Sequence, residues 1–571
     1  VLLESLLVGH EDWVTSVRWM PTEEHGADGN PRYQLFSTSM DRNMVIWSPD
    51  ASAGGVWVPH VRMGDIGGAL GGSIGGNLLG FVGGCTSPSG DSVIGVGYGG
   101  SFHWWILTRS GPDRGRWTPV PLSTGHFASV NDLCWSDDSQ GDYLTTVSGD
   151  QTCRIFAPIS NTSESNSEFG SGSLPARSMW KEISRPEIHG YDLNCVALAP
   201  QRGVHTLYTA GEEKLIRVFD APLNVLRGLE MLCGISYPAA VQTNRIEQAY
   251  IPELGLSNKA QEHMSKQEQT EQEARSVSRI NWTAEPLESQ LSDLTLWPEV
   301  DKMFGHTNEV MCMCISRDGR WLASASKARD AASASVLLWT ALSSASASDT
   351  STHLQLRDRL PGHESTVVCV QFSPNGRYLV SSGKDRALCL FSFDEQVKTY
   401  LPRVCKRSAH KRIVWDCCWT PDSTHVITTS RDGSCKIWRV EVAGQSQSAV
   451  QQQIDLVCVH TFSPFNGVAV TAVDVHRPQG AQTESPTACM PQRGWLVALG
   501  AETGELRVVR LLPFACTGDD VDVSVVAIIP DGHCHGATVR RVRWRPRCSE
   551  EFVEFATCGE DKTVRVHRLV A

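Results

Sequence analysis

The sequence contains no uninterrupted run of about 18 apolar residues, so a membrane-spanning helix is not expected. Its opening, Val1-Leu2-Leu3-Glu4, has neither a basic start nor a long apolar stretch, and no secretory signal is read there. A starting Met is absent as well, and the chain is expected to begin inside a larger unit. Positive charge is scarce: 51 Lys and Arg stand against 63 Asp and Glu, a formal net charge of -12. That balance excludes an electrostatic grip on nucleic acid by the whole surface and leaves only local basic patches.

Ligand-like cysteine spacing is lacking although there are 19 cysteines. They fall in apolar, strand-like runs such as Cys312-Met313-Cys314 and Trp415-Asp416-Cys417-Cys418-Trp419, and are expected to be reduced core thiols of a cytosolic or nuclear protein. His533-Cys534-His535 has no second ligand pair at zinc spacing, so no metal site is expected. The glycines between 64 and 84 have no Gly-Lys-Ser/Thr ending and no βαβ context, which makes them turns and packing positions rather than a phosphate loop. No unrepeated Ser, His and acid mark a catalytic triad, and neither enzymatic activity nor a cofactor is expected. Hydrophobic residues at 41% and charged residues at 20% exclude wholesale disorder and supply apolar material for large cores.

What is present is a repeat. Its clearest copy runs Gly362-His363-Glu364, Val367 to Phe372, Ser373-Pro374-Asn375-Gly376, Tyr378 to Ser382, Asp385-Arg386 and Leu388 to Phe391. An acid stands six positions before an aromatic or His in Asp41/Trp47, Asp150/Phe156, Glu213/Phe219, Asp385/Phe391, Asp432/Trp438 and Asp561/His567. The recurring His is expected to hydrogen-bond the repeat Asp, pairing His363 with Asp385 and His410 with Asp432 at the same offset of 22. Each unit reads as a small antiparallel sheet with two apolar faces, which only neighbouring sheets can bury.

Nine units follow, starting near His10, Gly72, His126, His189, His306, His363, His410, Val468 and Val539. The expected fold is all-β, a WD40 β-propeller: one complete seven-bladed ring over residues 112–571, preceded in 1–111 by the last two blades of an upstream seven-bladed ring. In this reading Trp117 to Leu122 closes the ring beside Val566 and His567. A long insertion covers 221–304, with a Gln- and Glu-rich tract from Lys259 to Ser278 that reads as a loop or a solvent-facing helix. Its flanks, Ile251 to Leu256 and Leu294 to Pro298, either pack on the ring or dock a partner.

The densest basic stretch holds Arg540, Arg541, Arg543, Arg545 and Arg547. Alternation puts Arg541, Arg543 and Arg545 on one side of a strand, facing a groove, channel or rim. The patch reads either as an interaction site for acidic segments or phosphates, or as internally paired with Glu550, Glu551 and Glu554.

Several linker and insertion strings are more specific than the repeat: Leu296-Trp297-Pro298-Glu299-Val300 ahead of Phe304-Gly305-His306, Gly255-Leu256-Ser257-Asn258-Lys259-Ala260, Ile188-His189-Gly190-Tyr191-Asp192-Leu193 and the ending from Ala556 to Arg568. In these the chain resembles the WD-repeat second subunit of the Elongator complex, from its first blade to its last residue. The resemblance implies two seven-bladed propellers and a non-catalytic scaffold, cytoplasmic and also nuclear, in a complex that modifies wobble uridines of transfer RNA. It implies as partners the largest subunit and the radical-SAM/acetyltransferase catalytic subunit. Two other readings stay open: a generic WD40 adaptor for peptides, and a propeller with an accessory transfer-RNA contact through the Arg540 to Arg547 patch.

Overall fold

The structure is a computed structural model that describes residues 5–25, 31–50, 52, 54–64, 80–109, 111, 114–122, 124–137, 139–159, 179–188, 190–238, 245–251, 257–260, 280–341, 354–443, 453–476, 494–512, 523–547 and 552–570. Most of the Lys259–Ser278 tract lies outside them.

Among the described residues, eight sheets have four antiparallel strands and a last has three, besides a two-stranded pairing of Ala249–Tyr250 with Lys259–Ala260 in the insertion. Each is built of short strands, several of them joined by tight turns. In the sixth sheet Val367–Phe372 turns through Ser373 to Gly376 into Tyr378–Gly383; the Gly376 N–H donates to the Ser373 carbonyl, and Gly376 sits at φ 69°. The second turn places the residue after the repeat Asp in the left-handed region. Arg42, Gln151, Arg386 and Lys562 all adopt it, and Gly433 holds the same place after Asp432. The four non-glycine residues each cost roughly 1 kcal/mol there, which the Asp side chain offsets by accepting amides of the same turn.

The innermost strands from the third sheet onward are Val130–Trp135, Leu193–Leu198, Val310–Ile315, Val367–Phe372, Val414–Trp419, Val470–His476 and Val539–Trp544. Each lies against the next, and Val539–Trp544 lies against Val130–Trp135, so the succession returns to its start. The Trp135 indole N–H donates to the Arg543 carbonyl at 3.1 Å across that junction. Apolar side chains fill every gap between adjacent sheets of this succession; Leu379, Leu390 and Ile437 are fully or almost fully buried.

Two expectations are corrected. Trp117–Val120 does not join the last sheet. It pairs with Phe102–Leu107 as the fourth strand of the second sheet, with Leu107 opposite Trp117, so the division at 111/112 cuts through a sheet. The repeat pattern starts with the outer strand of the preceding sheet, and a short local hairpin closes at far lower entropic cost than a pairing across the whole ring. Second, the cysteines are not all reduced: Cys389 and Cys405 are joined by a disulfide. Strand pairing sets them directly opposite each other, which spacing along the chain does not reveal.

The insertion's flank Leu294 to Pro298 packs on the ring, one of the two readings open for it, with Leu296 and Trp297 buried, while residues 252–256 of the other flank lie outside the described residues. Helix Leu223–Cys233, stopped by Gly234 at φ 67°, buries Val225, Leu226 and Leu229 in the core shared by the third and fourth sheets. Trp282 lies so close over Gly228 that a Cβ there would meet its ring. Trp297 is buried, its indole donating to Ser184 Oγ at 3.1 Å. The sequence reading named neither this helix nor the second, Glu288–Leu294.

A candidate functional site on the ring axis

Alternate residues of a strand share a face, so alternate positions of seven convergent innermost strands meet on one axis. Cys134, Ala197, Cys314, Gln371, Cys418, Asp474 and Arg543, one from each strand, border a cavity of about 410 Å³ there, together with Asp132 and Arg541. Burial pushes the Cys134, Cys312 and Cys418 thiols far up, which suits packing and not nucleophilic chemistry. Among the described residues no group of three His, Cys, Asp or Glu side chains is placed to hold a metal ion.

Charge on the axis is paired internally. Arg541 Nε donates to Asp132 Oδ1 at 3.1 Å and its Nη1 to Asp416 Oδ1 at 2.9 Å, linking the ninth sheet to the third and seventh. The other oxygens of these carboxylates bind the next sheet: Asp132 accepts the Val196 N–H at 3.2 Å and Asp416 the Val473 N–H at 3.1 Å. Asp474 repeats the device by accepting the Trp544 N–H at 2.7 Å. Burial pushes the Asp474 carboxyl up to about 6, against the pull of Arg543.

The five arginines therefore do not form one exposed stripe. Arg541 faces the axis between two aspartates, and Arg543 lies 3.8 Å from Asp416. Arg545 donates to Glu554 at 2.6 Å and to the Gly141 carbonyl at 3.0 Å, with its guanidinium over the Trp135 and Trp180 rings. Arg540 pairs with Glu560 at 2.6 Å near the surface, and Arg547 is exposed. The reason is desolvation: cations on an innermost strand lose their water, and only paired carboxylates make their burial tolerable.

The repeat pairs are built as follows. His363 Nδ1 lies 3.0 Å from Asp385 Oδ2, and His410 Nδ1 lies 3.4 Å from Asp432 Oδ2 and 3.1 Å from Ser434 Oγ. Each His also meets a hydroxyl that the sequence reading missed, Ser381 at 2.8 Å and Thr428 at 2.7 Å. Thr428 in turn accepts the Trp438 indole N–H at 2.9 Å. The signal was available: Ser37, Thr146, Ser381, Thr428 and Thr557 each stand four positions before the repeat Asp. In the fifth sheet Ser324 keeps its bond to His306, but Ala328 occupies the acid's place.

Burial alone would raise the Asp432 carboxyl, yet hydrogen bonds from Ser434 and the Lys411 N–H outweigh it and hold the group at about 2. Its folded value is thus below its unfolded one, so its stabilisation is present at neutral pH and lost as pH falls through that value. Asp432→Ala is expected to cost about 1–2 kcal/mol at neutral pH, with the gap to the parent protein narrowing in acid. Urea titrations at several pH values check it; equal midpoints at neutral pH would show that these bonds contribute nothing.

The repeat matches a known family, WD domain, G-beta repeat, over residues 2–48, 118–156, 297–339, 354–392 and 403–439. The chain is similar over 99% of its length to Elongator complex protein 2 of Arabidopsis thaliana, at 33% identity and covering 65% of that protein. It is 31% identical to the Homo sapiens protein of that name over its full length, covering 66% of the relative. Against the Danio rerio protein it is 30% identical, with 99% of the chain matched and 67% of the relative covered. The chain thus spans just under two thirds of the length of the plant and human relatives. With its repeated sheets and this near-complete alignment, the chain belongs to the Elongator complex protein 2 family.

Proposed function

We propose that this chain serves as a non-catalytic scaffold of the Elongator complex, supporting wobble-uridine modification of transfer RNA by holding the largest subunit and the radical-SAM/acetyltransferase catalytic subunit. The observation that carries the reading is the closed succession of innermost strands with its axial charges paired inside. Such a body is rigid and keeps its rims and outer strands for other proteins. In this reading Val130 to Val570 are a seven-bladed propeller, and the two sheets before it are the last blades of an upstream one. Trp13, Val17 and Trp19, exposed on the first sheet, support an upstream neighbour. The scaffold would work in cytoplasm and nucleus. Transfer RNA is touched indirectly, because Arg541, Arg543 and Arg545 already hold carboxylates or carbonyl groups of their own chain.

A tagged full-length protein is expected to recover the largest and catalytic subunits in fixed proportion. Stable attachment buries on the order of 1,000 Å² or more and survives moderate salt better than phosphate contacts do. Quantitative mass spectrometry of the recovered material reads this directly. Recovery of an unrelated complex with neither subunit would defeat the scaffold reading and favour a generic peptide adaptor.

A further inference from the structure

The fourth position after the repeat acid holds a cation in several sheets: Arg154, Arg217, Lys436 and Arg565. In the sixth sheet it holds Cys389, and the outer strand Thr399–Lys406 brings Cys405 directly opposite, with the Cα atoms 4.1 Å apart and the sulfurs bonded. The Phe393 N–H donates to the Arg377 carbonyl, so by antiparallel alternation Cys389 turns its backbone groups inward to Tyr378–Gly383, while Leu388 and Leu390 bond the outer strand. Cys389 and Cys405 are thus a non-hydrogen-bonded pair, the kind whose side chains stand closest. Gly362 leaves room for the bridge, since a Cβ there would lie 3.0 Å from Cys389 Sγ. Fourteen other cysteines among the described residues are free, so the bond is particular to this pair.

The two sulfurs differ in access. Cys389 is buried, whereas Cys405 is half-buried on the outermost strand. We infer that the pair is a thiol–disulfide exchange site, opened by a dithiol reductant and closed again by a low-molecular-weight disulfide, whose state sets how firmly Thr399–Lys406 is held. One reductant thiolate attacks Cys405 Sγ, forming a mixed disulfide and expelling Cys389 as a thiolate that takes up a proton. The reductant's second thiolate then displaces Cys405, which is protonated in turn, and the reductant leaves as a disulfide, two electrons poorer. A low-molecular-weight disulfide runs the same exchanges backwards and leaves as two thiols. The bridge ties the strand across a separation of 16 residues, and the strand is tied sideways as well. Lys406 pairs with Asp455 on the outer strand of the seventh sheet at 2.7 Å, and the Thr399 hydroxyl donates to Asp358 on that of the fifth at 2.7 Å. Opening the bridge therefore loosens a strand that braces both neighbours.

The full-length protein is equilibrated in buffers of graded dithiol-to-disulfide ratio, and Cys389 and Cys405 are followed by differential alkylation and mass spectrometry. The bond is expected to open and reclose reversibly in the folded protein. Closing a hairpin loop of this length restrains it enough that the amides of Leu388, Leu390 and Val404 are expected to exchange with solvent roughly 100-fold faster once it is open. The Cys389→Ser/Cys405→Ser double variant should show the fast exchange at every ratio. Should that variant not fold, the reversible series on the parent protein decides alone. A pair that stays reduced in the most oxidising buffer, that is reduced only after unfolding, or whose opening leaves those amides within about twofold of their closed rate overturns the inference.

Discussion

Arg541→Met is expected to lower the stability of the folded chain by about 3–5 kcal/mol, the largest effect of any single substitution on the axis. The guanidinium bonds Asp132 and Asp416 at once, and both carboxylates are buried, at 6% and 0% exposure. Methionine fills much of the volume but leaves Asp132 without this cation and Asp416 with only Arg543, 3.8 Å away. Repulsion then acts between the third and seventh sheets, which the arginine had held together. Adding Asp132→Asn and Asp416→Asn to the same protein should recover much of the loss, since neutral amides tolerate the site. Denaturant titrations of the single and triple variants measure both steps. A single-variant loss below about 1 kcal/mol would mean that the innermost strands do not converge on Arg541, and the closed ring would fall with it.

The second large effect is expected at Arg185. Its guanidinium donates to Glu182 at 2.8 and 3.2 Å and to Glu288 at 2.8 and 3.2 Å, all within the protein interior. Glu182 also accepts Arg154 at 3.1 Å, and Glu288 accepts the Thr124 hydroxyl at 2.9 Å. One network thus joins two strands of the third sheet, the second helix of the insertion and the segment entering the ring. Burial alone would raise the Glu288 carboxyl, but Arg185 outweighs it and holds it at about 2. Arg185→Met is expected to cost about 3–5 kcal/mol and to release the insertion locally, because Glu288 then needs water. Limited proteolysis should show new cleavage around residues 280–297 before global unfolding, and thermal melting should show an earlier transition. Unchanged cleavage together with an unchanged melting temperature would mean that apolar packing by Trp282 and Trp297 holds the insertion alone.

These two sites show where reading along the chain stops. The His–Asp partners lie about 22 residues apart within one repeat, and recurrence made them visible. Arg541 and Asp132 are 409 positions apart, and no periodicity links a basic residue in the last unit to an acidic one in the third. Alternation did place Arg541, Arg543 and Arg545 on one side of a strand. The same alternation holds for an exposed rim and for an axis, and only ring closure tells them apart. The Cys389–Cys405 bridge escaped for a similar reason: register, which depends on turn geometry, sets the two thiols opposite each other.

By itself the sequence determined the kind of unit and its repetition. Short β-rich runs separated by Asp-bearing turns admit little but small antiparallel sheets, and apolar residues on both faces oblige those sheets to stack. Its linker strings also carried the resemblance to a family. Only the tertiary structure decided which strand completes which sheet, where Trp117–Val120 belongs, and which charges meet on the axis. It also seated the insertion on the third sheet through Arg185 and Glu288. The physical reason is range. Turn chemistry and side-chain alternation act over a few residues and are written locally, whereas closure, outer-strand pairing and buried ion pairs depend on distances that exist only once the sheets have come together.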